Sequence, residues 1–300
     1  MKKAWWFCCI LLFMLLMGVV QAGQKAGPRV YVSVDMEGIW GVVHGNQTSS
    51  DSPEYGAARK WMAEDTNAVV AGLFEAGASE VVVNDSHASM RNIVADMLDP
   101  RASLISGTPK PLSMMQGIDS AFDACVIVGY HARAGTAPAI LDHTISGGVV
   151  RAVRVNGQEM PELGLNALIA GYFNVPVILL TGYTETCAQA KSILGDSLTT
   201  VAVKEAQGRY AARNFPVEEA RRKLTEGAKA ALLKKGQVAA FRLKSPFKFE
   251  LEVNNSAQAE MPSLIYLIKR TNPRTLEFSA EDYLQGFKLL RAAINLAGIS

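Results

Sequence analysis

Residues 32–38 read Val32-Ser33-Val34-Asp35-Met36-Glu37-Gly38, a β-branched run that breaks off into two acids and a glycine. Such a run is typical of a buried strand, and an open α/β sheet presents its functional groups where its strands end. Asp35 and Glu37 are two residues apart, so in an extended chain both carboxylates project from one face. Two carboxylates on one face repel each other unless a cation lies between them. The stretch therefore predicts half of a metal site.

Two further apolar runs end in the same way. Residues 80–83 lead into His87, and residues 124–128 lead into His131. A single histidine at such a position is more often a hydrogen-bonded structural residue than a ligand. However, strand, helix and strand with short connections predict parallel pairing, so these ends should meet at one edge of a sheet. A mixture of carboxylates and imidazoles suits zinc, manganese or iron better than calcium or magnesium.

The N-terminus has the pattern of a secretory signal peptide. A short basic start precedes an apolar run over residues 4–20, and a small-x-small cleavage signal follows before Gly23. We therefore expect residues 1–22 to be removed and the mature protein to be periplasmic or secreted. A retained membrane anchor is the alternative, because the apolar run is nearly long enough to span a bilayer.

Removal of this leader leaves a chain without net charge. The leader holds two lysines and no acids, so Lys plus Arg falls from 30 to 28 and equals the 28 acids. Nothing then favours nucleic acid or an anionic membrane surface as a partner. Cys125 and Cys187 remain, too few for a disulfide scaffold. Both adjoin apolar runs, which favours two buried free thiols over a pair.

The pattern of strands and helices predicts two units. Residues 23–212 read as α/β, with a mostly parallel sheet flanked by helices in Rossmann-like layering. Residues 213–300 read as a smaller α+β unit that includes a helix over residues 257–268. The four histidines of the mature chain all lie before residue 144, so the chemistry should belong to the first unit.

Several single residues have a structural explanation from their local sequence. Glu162 follows Pro161 at the start of a predicted helix, where an acid interacts favourably with the helix dipole. His44 lies in a polar loop without a second ligand nearby. Lys204 and Arg209 follow the last predicted strand, where solvated surface charges are expected, although either could recognise a carboxylate or a neighbouring subunit.

Four motifs together resemble the zinc D-aminopeptidases of the DppA (dipeptide transport protein) type. In order they are Ser33-Val-Asp-Met-Glu-Gly38, Asn84-Asp-Ser-His87, Gly129-Tyr-His-Ala-Arg-Ala134 and Glu162-Leu-Gly-Leu-Asn-Ala167. The resemblance implies two zinc ions per subunit, with manganese or iron not excluded, held by Asp35, Glu37, His87, His131 and Glu162. It also implies that Asp35 bridges the metals and that His143 is the catalytic histidine. This chain departs from the pattern by one extra residue before Asp142 and by Tyr183, where an acid is expected.

The resemblance also implies an activity and an assembly. The expected reaction is hydrolysis of the N-terminal amide bond of short D-amino-acid peptides, such as D-Ala-D-Ala, by a water that two zinc ions activate. A homo-oligomer is implied, with a decameric ring as its expected form. Two alternatives stay open at this stage: another dinuclear metallo-amidase or esterase of the same fold, and a non-catalytic periplasmic peptide-binding protein.

Overall fold

The computed structural model of this chain describes residues 27–299. Its strands are β1 (Arg29–Val34), β2 (Glu80–Asp85), β3 (Ser103–Ile105), β4 (Ala124–Val128), β5 (Val150–Val155), β6 (Gln158–Glu159), β7 (Val177–Tyr183), β8 (Thr199–Gly208), β9 (Ala211–Asn214), β10 (Phe247–Val253), β11 (Lys269–Asn272) and β12 (Thr275–Ala280). Its α-helices are α1 (Gly45–Thr48), α2 (Tyr55–Glu75), α3 (Glu162–Tyr172), α4 (Thr184–Leu194), α5 (Val217–Leu233) and α6 (Tyr283–Ala297). The leader predicted over residues 1–22 lies outside the described residues.

A seven-stranded sheet forms the centre of the fold. Its strand order is β3-β2-β1-β4-β7-β8-β9, and every neighbouring pair is parallel except β8 and β9. Val30 of β1 pairs with Val81 of β2 on one side and with Ala124 of β4 on the other. The predicted mostly parallel α/β sheet is therefore confirmed. Because β1 lies between β2 and β4, the residues that follow these three strands share one edge.

Alternating residues of β1 face two different core layers. Val30, Val32 and Val34 point to the side on which α2 and α5 pack against each other. Tyr31 points to the opposite side, in the core that includes α3, α6 and part of the second sheet. Both layers are apolar, which explains why the strand reads as a nearly continuous β-branched run.

The second sheet is antiparallel, with the order β11-β12-β10-β5-β6. Its β5–β6 hairpin turns at Asn156 and Gly157, which both have positive φ, as the Asn-Gly pair predicts. This hairpin precedes residue 213 yet pairs through β5 with β10, which follows it. In the other direction, α5 follows residue 213 and packs against α2. The division into residues 23–212 and 213–300 stays a prediction.

The prediction of a helix over residues 257–268 is wrong. The structure has two short 3-10 turns there, Ala257–Ala259 and Pro262–Leu264. Pro262 has no N–H to continue an α-helical ladder, and the apolar side chains of Leu264, Tyr266 and Leu267 are exposed rather than gathered on one buried face.

The predicted free thiols are confirmed, since Cys125 and Cys187 are both buried and unpaired. Within residues 27–299, no helix is both long enough and apolar enough to cross a bilayer.

Candidate metal centre

The carboxyl-terminal ends of β1, β2 and β4 meet at one edge of the seven-stranded sheet. Asp35 and Glu37 follow β1, His87 follows β2 and His131 follows β4, and all four side chains are buried. The exits of β1 and β4 stay in register, because the Asp35 N–H donates to Val128 O at 2.8 Å. The structure thus brings together the side chains that the sequence predicts to converge.

Gly38 allows the loops after β1 and β4 to approach closely. Its N–H donates to Gly129 O at 2.7 Å, and a Cβ at Gly38 would overlap the carbonyl oxygen of Tyr130. Gly129 has a φ of 69°, in the left-handed region that favours glycine. The two glycines therefore let the chain place Glu37 and His131 in one cluster.

The two carboxylate oxygens of Asp35 face different sets of donors. Oδ1 lies 3.3 Å from His87 Nδ1, which is also 3.1 Å from Glu37 Oε2. Oδ2 lies 3.4 Å from His131 Nε2, which is also 3.4 Å from Glu162 Oε1. Asp35 therefore lies between two half-sites, each completed by one histidine and one glutamate. A carboxylate in this position can bridge the two ions of a two-metal site.

Backbone carbonyls orient both histidines. His87 Nε2 lies 3.0 Å from Thr48 O, and His131 Nδ1 lies 2.9 Å from Ala132 O. A carbonyl oxygen only accepts, so these two nitrogens carry protons and donate. His87 Nδ1 and His131 Nε2 are then the nitrogens that face Asp35 and would hold a metal ion once deprotonated.

Glu162 reaches the cluster from the first turn of α3. Its Oε1 accepts from the Ile145 N–H at 2.6 Å and lies 3.6 Å from His143 Nε2. His143 stacks on His131 with 3.9 Å between ring centroids, and its Nδ1 donates to Leu141 O at 2.8 Å. The His143 side chain is 21% exposed, more than the other members of the cluster. It is therefore the group most accessible from outside.

Histidine charges compensate the buried carboxylates of the cluster. Burial raises the pKa of Asp35, and the charges of Glu37 and Glu162 raise it further. Burial also raises the pKa of Glu37, but His87 outweighs burial and holds this pKa well below its ordinary value. Burial lowers the pKa of His131, yet Glu162 and then Asp35 outweigh it and raise the pKa to about 10. A bound metal ion would take the place of these protons.

Two atoms of the cluster that could ligate a metal ion have no hydrogen-bond partner within residues 27–299. They are Asp35 Oδ2 and His131 Nε2, and both are buried. Unpaired buried polar atoms are costly, so their presence indicates a missing ligand. The ligand atoms of Asp35, Glu37 and His131 lie within 4.8 Å of one another, as do those of His131, His143 and Glu162. This donor set fits transition-metal ions.

Two candidate side chains stay outside the cluster. Asp85 belongs to the second motif, but it accepts hydrogen bonds from the backbone N–H groups of Asn92 and Ile93 and so holds the loop that follows His87. His44 is exposed and caps α1 by accepting from the Asn46 N–H at 3.1 Å. The prediction of an ordinary loop histidine at position 44 is confirmed.

The prediction of a solvated surface charge at Lys204 is wrong. Lys204 is fully buried, and its Nζ donates to Glu37 O at 2.8 Å, to Ile39 O at 2.6 Å and to Val42 O. Burial lowers its pKa to about 7, while Asp65 and Glu37 act in the opposite direction. One ammonium group thus uses its three N–H donors to hold the loop that carries Glu37. Its position inside β8 (Thr199–Gly208), rather than after the strand, accounts for this burial.

Replacing Lys204 by methionine is expected to destabilise the protein by about 2–4 kcal/mol, because buried carbonyls lose a charged donor. The free energy of unfolding from urea titration measures the effect. Lys60→Met is the matched control. Lys60 is exposed, and its single ion pair with Glu64, at 3.9 Å, is expected to contribute little stability. Equal unfolding midpoints for Lys204→Met and Lys60→Met would contradict this role.

The two departures from the family pattern lie next to the loops that carry the histidines: Tyr183 ends β7, and the extra residue precedes Asp142. Tyr183 is buried, and its hydroxyl accepts from the Ala132 N–H at 2.8 Å and donates to Ile140 O at 2.9 Å. It joins the loop that follows His131 to the loop that precedes His143. Arg209 is exposed, as predicted, but its guanidinium pairs with Asp142, which follows the segment that holds the extra residue. Neither Tyr183 nor Arg209 lines the cavity described next.

A cavity of about 150 Å³ opens beside the cluster. Asp35, His87, His143 and Glu162 form part of its wall. The remaining wall comes from distant parts of the chain, including Ser113, Met114, Leu165, Phe287 and Arg291. The last two lie on α6, so the C-terminal part of the chain shapes this cavity.

An α/β sheet whose strand ends gather two carboxylate and imidazole half-sites beside a cavity defines a candidate two-metal protein. A family model described as D-aminopeptidase matches residues 29–292. The chain is also 36% identical over 270 residues to the D-aminopeptidase of Bacillus subtilis (strain 168), covering 90% of this chain and 97% of that protein. The chain belongs to the D-aminopeptidase family.

A solved structure shares the fold. It is that of the Zn-dependent D-aminopeptidase DppA from Bacillus subtilis, described as a self-compartmentalizing protease. The TM-score is 0.88 at 35% sequence identity, and the match covers 91% of this chain and 98% of that chain. The likeness therefore extends through both sheets and not only through the site motifs.

Proposed function

We propose that this protein is a zinc-dependent D-aminopeptidase that hydrolyses the N-terminal amide bond of short D-amino-acid peptides. The observation that carries the proposal is the division of Asp35 between two half-sites, His87 with Glu37 and His131 with Glu162. Both the family description and the named relatives support the same activity.

Two zinc ions fit the donor set, with Asp35 between them. Glu37 and His87 would hold one ion, and His131 and Glu162 the other, through His87 Nδ1 and His131 Nε2 and through the carboxylates. Bound there, the ions would supply Lewis-acid activation of water and of the scissile carbonyl. The zinc dependence of the Bacillus relative favours zinc over manganese or iron.

His143 is proposed to transfer protons or to stabilise the oxyanion during the reaction. Its Nδ1 donates to Leu141 O, which leaves Nε2 free to accept a proton at the cavity wall. Burial lowers the pKa of His143, and the neighbouring His131 lowers it further, while Glu162 opposes both. An imidazole that is neutral near pH 7 can act as a general base and then return the proton to the leaving amine.

Hydrolysis of D-Ala-D-Ala is expected to be fast in the zinc-loaded protein and absent after treatment with a chelator. Added zinc should restore it, because the site donors belong to the folded protein and survive metal removal. L-Ala-L-Ala serves as the matched substrate and should be a poor one, as the family description implies. Equal rates on both enantiomers, or activity that resists the chelator, would contradict the proposal.

We also propose that the chain forms a homo-oligomer. The Bacillus relative is described as self-compartmentalizing, which requires several copies to enclose a space. Leu264, Tyr266 and Leu267 are exposed by 75%, 92% and 53%, and such an apolar segment can be covered by a second copy. A decameric ring is the form that the resemblance implies. The mass in solution, measured by light scattering, tests this, and a monomer would contradict it.

We infer a periplasmic or secreted location from the N-terminal pattern alone. The basic start, the apolar run over residues 4–20 and the small-x-small signal before Gly23 support cleavage after residue 22. Intact mass spectrometry of the mature protein checks this, and a chain that retains residues 1–22 would contradict it.

A further inference from the structure

Arg291 presents a cationic side chain to the cavity beside the candidate metal centre. It lies on α6, one turn after Phe287, and residues four apart on a helix share a face. Both side chains line the same cavity as Asp35, His143 and Glu162. A positive group thus shares a small cavity with a cluster of carboxylates.

Arg291 is half-buried, yet it has no ion pair and no side-chain hydrogen bond within residues 27–299. The other half-buried arginines of this part of the chain all have partners: Arg29, Arg59, Arg133, Arg154, Arg221 and Arg274. Burial lowers the pKa of Arg291, and the charge of Glu162 only partly opposes this. A guanidinium held in this way lacks the anion that would compensate its lost hydration.

A second cavity adjoins the first at Arg291. Its volume is about 280 Å³, and it shares Met90, Ser113 and Arg291 with the cavity beside the metal centre. Its other charged side chains are Lys110 and Lys288, and no carboxylate lines it. The charged side chains that line this second cavity are therefore all basic, whereas Asp35 and Glu162 line the first.

We propose that Arg291 binds the C-terminal carboxylate of the substrate and makes the enzyme selective for short peptides with a free C-terminus. The inference rests on the proposed aminopeptidase activity. A dipeptide carries a carboxylate one residue beyond its scissile amide bond, which matches a cavity that has the candidate metal centre in one part of its wall and Arg291 in another. The planar guanidinium can hold both carboxylate oxygens through parallel N–H donors, so it recognises this group in one orientation.

The test compares D-Ala-D-Ala with D-alanyl-D-alaninamide, in which a neutral carboxamide replaces the terminal carboxylate. For the wild type, kcat/KM should be higher for the free acid. Arg291→Met should lower kcat/KM for the free acid by about 30-fold, as loss of a charge-assisted hydrogen bond predicts, and change that for the carboxamide by less than about 3-fold. The two substrates release amines of different basicity. Comparing kcat/KM of each substrate between wild type and variant cancels this difference.

Arg291→Lys keeps the charge but not the planar fork, so we expect an intermediate loss for the free acid alone. Arg91→Met is the matched control, because Arg91 is exposed and lines neither cavity. It should leave both substrates unaffected. An equal fall for both substrates in Arg291→Met would overturn the inference.

Failure of the inference and failure of the proposed function give different results. If the wild type hydrolyses neither substrate, the proposed function is overturned and the inference with it. If the wild type hydrolyses both substrates and the Arg291 variants lose the same factor on each, the inference alone is overturned. Arg291→Lys, compared with the wild type on both substrates, decides this if Arg291→Met does not fold.

Discussion

Replacing Asp35 by asparagine should abolish hydrolysis and metal retention together. Asp35 contributes one oxygen to each half-site, and an amide would turn an NH₂ donor toward one of the two. Each loss of about 1.4 kcal/mol of transition-state stabilisation slows the reaction tenfold, and metal catalysis supplies several kcal/mol. We therefore expect kcat/KM to fall by about 1,000-fold or more.

Two measurements on the purified variant check this result: kcat/KM on D-Ala-D-Ala, and zinc per subunit by elemental analysis. Circular dichroism establishes that the variant is folded. Asp96→Asn is the matched control, because Asp96 is exposed and away from the cluster, and it should keep both activity and zinc. A folded Asp35→Asn variant that retains two equivalents of zinc would refute the bridging position of Asp35.

Replacing His143 by alanine should remove most of the activity while the metal stays bound. His143 is the most exposed member of the cluster, and its Nδ1 is held by Leu141 O. Loss of a general acid–base group typically costs about 10²–10⁴-fold in rate. The five remaining side chains still provide both half-sites, so we expect kcat to fall by this factor and zinc content to stay unchanged.

The zinc content of His143→Ala separates two roles for this histidine. Its ligand atom lies within 4.8 Å of those of His131 and Glu162, so the geometry also permits ligation. Loss of one equivalent of zinc from His143→Ala would make it a ligand, whereas full turnover would exclude it from the chemistry. His44→Ala is the control, since His44 is exposed and only caps α1.

Local sequence patterns predicted most of the central sheet. The runs that became β1, β2 and β4 are β-branched or apolar, and short connections through the helix α2 indicated parallel pairing. The weakest prediction was the helix over residues 257–268. Leu264, Tyr266 and Leu267 are exposed, and so they do not follow the usual link between hydrophobicity and burial on which such predictions depend.

The candidate site divides into residues with and without a local signal. Asp35, Glu37, His87 and His131 follow strands, and this position alone predicts that they converge. Glu162 starts a helix, where an acid needs no further explanation, so only the family motifs indicated it as a ligand. Its proximity to His131 depends on how α3 packs against the sheet, which no local pattern records.

The sequence by itself determined that the central strands pair in parallel and that their polar ends meet at one edge, because periodicity and short connections act locally. Only the tertiary structure decided that Lys204 is buried under the loop of Glu37 and that Arg291 faces the cavity. Both residues look like ordinary surface cations in sequence. Their roles depend on which distant elements pack around them, and that packing results from the burial of whole faces rather than from any single motif.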